Sequence, residues 1–308
     1  MPKHCKAPRN KTIELGAQDI ARYAAMALGS KKSYTREETI DRIIRGDSFK
    51  IMPKLAPASV DLMIADPPYN LTKTFGQNTF RQRDFEEYKS WLDKWLALTV
   101  PLLKDNASVY ICADWKTSIA IPEIAGKYFI LQNRISWERE KGRGAKNNWK
   151  NCLEDIWFFT KSRDYTFNID AVKMQRPVLA PYRDTNGKPK DWQEINNQKL
   201  RLTHPSNIWT DISIPFWSMS ENTNHPTQKP EKLIAKLILA SSNPGDTVFD
   251  PFVGSGTTAV AAKKLGRHFT GIEREKEYAA LACKRLELAE HDKTIQGLEN
   301  GVFKARNT

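Results

Sequence analysis

The chain has 308 residues, 40% of them hydrophobic, enough to bury a large core as one enlarged domain or as a domain carrying a smaller insert. A net charge of +12 and a pI near 9.4 point to an acidic partner, and nucleic acid is the commonest partner of that kind. No apolar run approaches the ~20 residues of a membrane span, and the basic N-terminus has no apolar stretch behind it, so neither export nor membrane insertion is expected.

Residues 1–40 are Lys/Arg-rich and polar around one amphipathic stretch, 19–28, with Gly29 placed to cap it, and they read as a basic extension. From Arg42 onward short apolar runs end in turn residues and alternate with helical periodicity, the pattern of an α/β domain with a mainly parallel sheet. Strands are expected over 41–45, 60–65, 108–112, 129–137, 156–160, 247–249 and 268–272, and helices over 85–103, 231–241, 256–265 and 275–289. A polar stretch, 71–84, follows the second strand and carries Lys73, Arg81 and Arg83. Residues 163–224 are rich in Asn, Pro, Asp, Lys and Trp and hold no period; a loop-rich stretch of that length is functional or disordered. The four cysteines, Cys5, Cys112, Cys152 and Cys283, have neither metal nor disulfide spacing, which fits buried or incidental thiols in a reducing cytoplasm.

Two short motifs carry the chemistry. In the segment from Thr247 to Ala259, Gly254 and Gly256 let the backbone bend sharply and let a ligand approach closely. Glu273 closes the next strand, where a carboxylate is placed to accept both hydroxyls of a ribose. Gly254-x-Gly256-x-x-Ala259 also satisfies the dinucleotide fingerprint, so a NAD oxidoreductase has to be weighed. Asp250 argues against it, because a carboxylate there repels a pyrophosphate but attracts the ammonium of a methionine moiety. S-adenosylmethionine has that ammonium, a sulfonium and a ribose, and no phosphate.

The strand over 60–65 runs directly into Asp66-Pro67-Pro68-Tyr69. Two prolines lack N–H groups and fix φ, so the turn is stiff and the Pro67 carbonyl has one direction. An aromatic amine is a poor nucleophile because its lone pair is delocalised into the ring. Accepting its two N–H bonds, at the Asp66 carboxylate and the Pro67 carbonyl, favours a tetrahedral nitrogen able to attack in line, and positioning does most of the work. Tyr69 is placed to stack on a base swung out of the duplex. Alone, this strip reads equally well as a rigid turn; beside the glycine loop it does not.

Together and in this order the motifs resemble the amino-methylating DNA methyltransferases of the beta class, in which the catalytic motif precedes the cofactor motif. The resemblance covers about residues 42–290. Arg45-Gly46-Asp47-Ser48-Phe49-Lys50 matches the segment whose acid, here Asp47, reads the cofactor's adenine amine. Asn207-Ile208-Trp209 resembles the segment ahead of an intact His225-Pro226-Thr227-Gln228-Lys229-Pro230 block, which makes Lys229 a candidate for the methionine carboxylate. Asp250, Phe252, Gly254, Ser255, Gly256, Thr257 and Glu273 complete the expected cofactor set.

The resemblance implies a Rossmann-like, seven-stranded, mostly parallel sheet with helices on both faces and S-adenosylmethionine as cofactor. It divides the chain into the extension (1–40), a catalytic half (41–164), a target-recognition region (165–222), a cofactor half (223–290) and a tail (291–308). Duplex DNA is the implied partner, with a homodimer and a cognate restriction enzyme left open. In the recognition region Arg176, Arg183, Lys188, Lys190, Arg201 and His204 stand among Trp192, Trp209 and Trp217, a mixture suited to phosphate contacts and groove readout. The basic stretch from Arg139 to Asn148 fits either DNA backbone or solvent, and 71–84 is expected to be a mobile loop over the flipped base. Asp66 favours adenine N6 as target, since serine is commoner at that position in cytosine-N4 enzymes. RNA as substrate and a non-catalytic DNA-binding role on a methyltransferase scaffold are the remaining alternatives.

Overall fold

The computed structural model describes residues 7–145, 147–179, 181–195 and 197–304; Cys5 and the side chains of 140–146, within the basic stretch after Arg139, lie outside the described set. In chain order, α1 (Ala17–Ala24) and α2 (Arg36–Thr39) lead to β1 (Arg42–Arg45) and α3 (Ser48–Ile51). Then come β2 (Val60–Ala65), the hairpin of β3 (Lys73–Phe75) and β4 (Asn78–Phe80), and α4 (Phe85–Thr99). β5 (Leu103–Asp114), α5 (Ile121–Ala125), β6 (Ile130–Ala145) and β7 (Asn148–Thr160) complete the first half. The insert holds β8 (Met174–Pro177), β9 (Gln193–Ile195), β10 (Gln198–Thr203) and β11 (Ile208–Trp209). The chain closes through α6 (Glu231–Ser241), β12 (Thr247–Asp250), α7 (Thr257–Lys264), β13 (His268–Glu273), α8 (Lys276–His291), β14 (Leu298–Glu299) and β15 (Val302–Lys304).

The main sheet has the order β1-β13-β12-β2-β5-β7-β6-β11, the seven expected strands plus the two-residue β11 at one edge. It is parallel from β1 to β5, with β7 antiparallel to both its neighbours. Helices cover both faces, which is why β2 is apolar at every position but Asp61 near its start. Its side chains divide with period 2. Leu62 and Ile64 pack with Leu233, Ile238 and Ala261, while Met63 and Ala65 pack with Leu92, Trp95 and Leu96 on the opposite face.

Local chemistry sets the helix ends. Asp84 Oδ1 accepts the Glu86 amide at 2.9 Å and starts α4. That helix stops at Thr99, short of the expected 103, because Pro101 lacks an N–H, and Val100–Leu102 form a 3-10 turn into β5. α1 ends at Ala24, so Gly29 is not its cap; instead the Leu28 amide bonds the Ile43 carbonyl and extends the sheet edge.

Residues 7–40, expected as an extension, are therefore tied to the core rather than appended to it. Tyr23 is buried and donates to Glu287 of α8 at 2.6 Å, and the Ile13 amide bonds the Asn222 carbonyl. The C-terminal tail also belongs to a larger unit. β14 and β15 join β8, β10 and β9 in a second sheet, with β15 parallel to β8. Phe303 is fully buried there with Val172, Met174 and Ile295, covering Ala235 and Ala240 of α6. Among the described residues no helix is long and apolar enough to cross a membrane.

Candidate active site

The carboxyl ends of adjacent parallel strands gather the expected residues along one edge of the sheet, the usual place for ligands in such sheets. Asp66 follows β2, Asp250 ends β12, Glu273 ends β13 and Asp47 follows β1. Because β2 and β12 are direct neighbours, motifs far apart in sequence meet in one cleft of about 1490 Å³.

All four strip residues line this cleft. Tyr69 donates its hydroxyl to Asp66 Oδ1 at 2.9 Å, and Tyr88 of α4 holds the Pro68 carbonyl at 3.1 Å. Lys229 Nζ donates to Asp66 Oδ2 at 2.6 Å and to the Tyr69 hydroxyl at 3.1 Å. Its place differs from the expectation: the ammonium is spent within the strip, with Glu154 Oε2 at 3.3 Å as its second carboxylate. Burial works against that charge, but Asp66 and Glu154 outweigh it and hold the ammonium above the usual lysine range.

Of the expected cofactor residues, Asp47, Phe252, Gly254 and Glu273 line the cleft, whereas Asp250, Ser255, Gly256 and Thr257 are buried behind it. Asp250 is not aimed at a ligand's ammonium. Its oxygens accept the Phe252 amide at 2.9 Å and the Thr258 hydroxyl at 2.6 Å, so it shapes the glycine loop from inside. Burial pushes its carboxyl up to about 7 against those two bonds. Ser255 and Thr257 serve the same loop by accepting Arg285 Nη1, at 2.9 Å on the Ser255 carbonyl and 3.0 Å on the Thr257 hydroxyl. Arg285 is buried and also pairs with Glu231 at 2.8 Å.

Two glycines have a steric reason. Gly254 has φ +53°, and a Cβ there would lie 2.9 Å from His225 Nε2; Gly256 has φ +88°, and a Cβ would lie 2.7 Å from the Ala282 Cβ. Glu273 accepts the Gly254 amide at 2.9 Å and the Glu275 amide at 2.7 Å, and burial pushes it up to about 7. Asp47 caps α3 by accepting the Phe49 amide at 3.0 Å. Asp47 and Glu273 end neighbouring strands, with the glycine cradle beyond Glu273 on β12, and they offer acceptors suited to an adenine amine and a ribose, so these residues fit S-adenosylmethionine.

The stretch 71–84 forms the β3–β4 hairpin, whose tip rests on α8. The Gln77 amide donates to Glu275 Oε2 at 3.1 Å, Asn78 Nδ2 bonds Glu275 Oε1, and the Gly76 amide reaches the Tyr278 hydroxyl at 3.3 Å. His225 lies between Phe75 and Tyr278, and burial pushes its imidazole down to about 3, so it is neutral. In the insert, Trp192 and Trp209 are buried structural side chains and Trp217 is exposed.

Glu154, Tyr88, Glu275 and Arg285 belong to this site and were not singled out by motif; Arg139, expected only as the start of a basic stretch, joins them through Glu154. In β7 the apolar Leu153 is 44% exposed while Glu154 is 5% exposed, the reverse of their hydrophobicity, so no local pattern marks Glu154.

A carboxylate–Pro–Pro–Tyr strip set beside a glycine cradle on the carboxyl edge of a parallel sheet defines an S-adenosylmethionine-dependent methyltransferase that acts on an amine. The family model for DNA methylase, covering N6 and N4 enzymes, matches residues 60–284. The chain belongs to that family, which sets aside the NAD oxidoreductase. It is 37% identical to the DNA adenine methyltransferase YhdJ of Escherichia coli (strain K12), over 81% of this chain and 83% of the relative. It is 36% identical to the type II methyltransferase M.HpaI of Haemophilus parainfluenzae, over 80% and 74% respectively. The solved complex of M1.HpyAVI with SAM superposes with a TM-score of 0.51 at 26% identity, over 79% of this chain and 98% of that one.

Proposed function

We propose that this protein transfers a methyl group from S-adenosylmethionine to the N6 amine of a flipped-out adenine at a specific site in duplex DNA. The observation that carries the assignment is Asp66, fixed by Tyr69 and Lys229 at the end of β2 and opening onto the cleft that also holds Asp47 and Glu273. The bound cofactor supplies an electrophilic methyl group. The chain supplies the geometry: Asp66 and the Pro67 carbonyl accept the two N–H bonds of the amine, and the Tyr69 ring supports the unstacked base. Adenine as the base is supported by the 37% identical relative YhdJ, a DNA adenine methyltransferase.

The basic residues of the insert, Arg176, Arg183, Lys188, Lys190, Arg201 and His204, take the DNA backbone and grooves in this reading, and the site of action is the cytoplasm. A cognate restriction enzyme acting on the same site accords with the type II name of the M.HpaI relative; digestion of methylated against unmethylated DNA tests it. Sedimentation of the purified chain tests whether it works as a homodimer. The main assignment is tested by modified-base sequencing of DNA incubated with the purified protein and S-adenosylmethionine. N6-methyladenine at one recurring sequence is the expected result; N4-methylcytosine, or no modified base, overturns it.

A further inference from the structure

Glu154 lies outside every motif that marks the cleft, yet it is buried and faces the catalytic strip. It leaves β7 opposite Asp114 of β5 and Trp137 of β6. Its Oε2 accepts the Tyr69 hydroxyl at 3.2 Å and lies 3.3 Å from Lys229 Nζ, and its Oε1 takes Arg139 Nη1 at 2.6 Å. The same hydroxyl and the same ammonium bond Asp66, at 2.9 and 2.6 Å. Two carboxylates thus share one ammonium and one hydroxyl, and the formal charges of Asp66, Glu154, Lys229 and Arg139 cancel.

A target amine meets Asp66 through its N–H bonds, so the strength of that contact follows the negative charge Asp66 presents to the cleft. Lys229 at 2.6 Å draws on that charge, and in a poorly screened interior such a pair interacts strongly. A second carboxylate on the ammonium divides its pull. We propose that Glu154 is a positioning residue of the catalytic strip, which orients Lys229 and Tyr69 and thereby sets the negative charge that Asp66 offers to the target amine. The inference rests on the catalytic assignment of Asp66 made above.

Other ionisable groups near Asp66 include Cys112 of β5, Tyr88 of α4 and Asp250 of β12, and Asp114 of β5, opposite Glu154, lines the same cleft. Burial, reinforced by Asp66 and Glu154, pushes the Cys112 thiol well up, and burial also raises the Tyr88 phenol, so both stay neutral. Asp250, pushed up to about 7 by burial, is the same in every variant below.

Two substitutions act in opposite senses. Glu154→Gln keeps the shape and removes the negative charge; Arg139→Gln removes the cation from the far oxygen, at a side chain 40% exposed. Single-turnover methyl transfer to unmethylated genomic DNA is measured across about pH 5 to 9 with cofactor and DNA saturating. For Glu154→Gln the plateau rate is expected to fall about ten- to a hundredfold, and its acid limb to move to lower pH, because a more positive neighbourhood favours the ionised strip. For Arg139→Gln the acid limb moves to higher pH. Calorimetric affinity for S-adenosylmethionine stays within about threefold of wild type in both, as neither side chain is placed on the cofactor.

An unmoved limb in Arg139→Gln overturns the inference even if Glu154→Gln fails to fold. So does a parallel loss of rate and cofactor affinity with unmoved limbs, the mark of a purely structural role. Asp66→Ala is measured alongside. If it is inactive while the other two behave as wild type, the Glu154 inference alone is lost; if it is active, the strip itself has been misassigned.

Discussion

Asp66 is held by two donors, and its removal deletes an acceptor without touching the walls that hold the cofactor. Asp66→Ala should lower methyl incorporation by about 10²–10³-fold or more, with calorimetric affinity for S-adenosylmethionine nearly unchanged; equal activity would refute the mechanism. Asp250 offers a test of another kind. Its folded carboxyl titrates near 7, raised by burial against its bonds to Thr258 and Phe252, whereas the unfolded chain releases that proton in the ordinary carboxylate range. The folded state therefore binds the extra proton between about pH 4 and 7, and this group's contribution to stability falls across that window and then levels. Asp250→Asn removes the dependence, since Thr258 can turn its hydroxyl to accept from the amide. Urea unfolding of the cofactor-free proteins should show the variant gaining on wild type by up to about a few kcal/mol from pH 4.5 to 8. A constant difference would show that Asp250 is ionised throughout. The sequence identified both carboxylates, but it assigned Asp250 to the ligand, because a short window does not reveal which way a buried side chain turns.

Elements were legible wherever one buried face imposed a period. β2, β12, β13, α6 and α8 lie where the apolar spacing put them. β6 and β7 run far beyond their expected ends, into a ribbon of Arg, Lys, Gly and Asn that no core face patterns. The family resemblance implied a mobile loop over 71–84; the stretch carries no period, and the β3–β4 hairpin it forms is held by contacts with Glu275 and Tyr278 at the start of α8. Glu275→Ala deletes two of these bonds, each worth about 1–3 kcal/mol for a charged acceptor. Hydrogen exchange over residues 73–80 should then accelerate about tenfold or more, with the sheet strands unaffected. Unchanged protection there would show that hairpin packing alone, such as Phe80 against Trp91, keeps it closed.

At the scale of the molecule the insert and the C-terminal tail fold as one sheet against α6. Phe303→Ala should cost about 3–5 kcal/mol, read as a lower urea midpoint; a loss below 1 kcal/mol would mean that the tail only rests on the insert. The charge of +12 predicts DNA affinity that falls steeply with salt, each neutralised phosphate adding about −0.9 to the slope of log K against log salt. A flat dependence would remove the basic insert from the interface. By itself the sequence located the strip, the glycine loop and the strand ends that carry them, and its family resemblance implied the cofactor class. Such motifs are local, set by backbone geometry and by short-period burial. Only the tertiary structure decided that β2 lies against β12, that Lys229 serves Asp66, and that Glu154 and Arg285 are buried parts of the site. Whether a charged side chain leaves water depends on partners supplied by distant segments, and its desolvation is offset only when the whole sheet has assembled them.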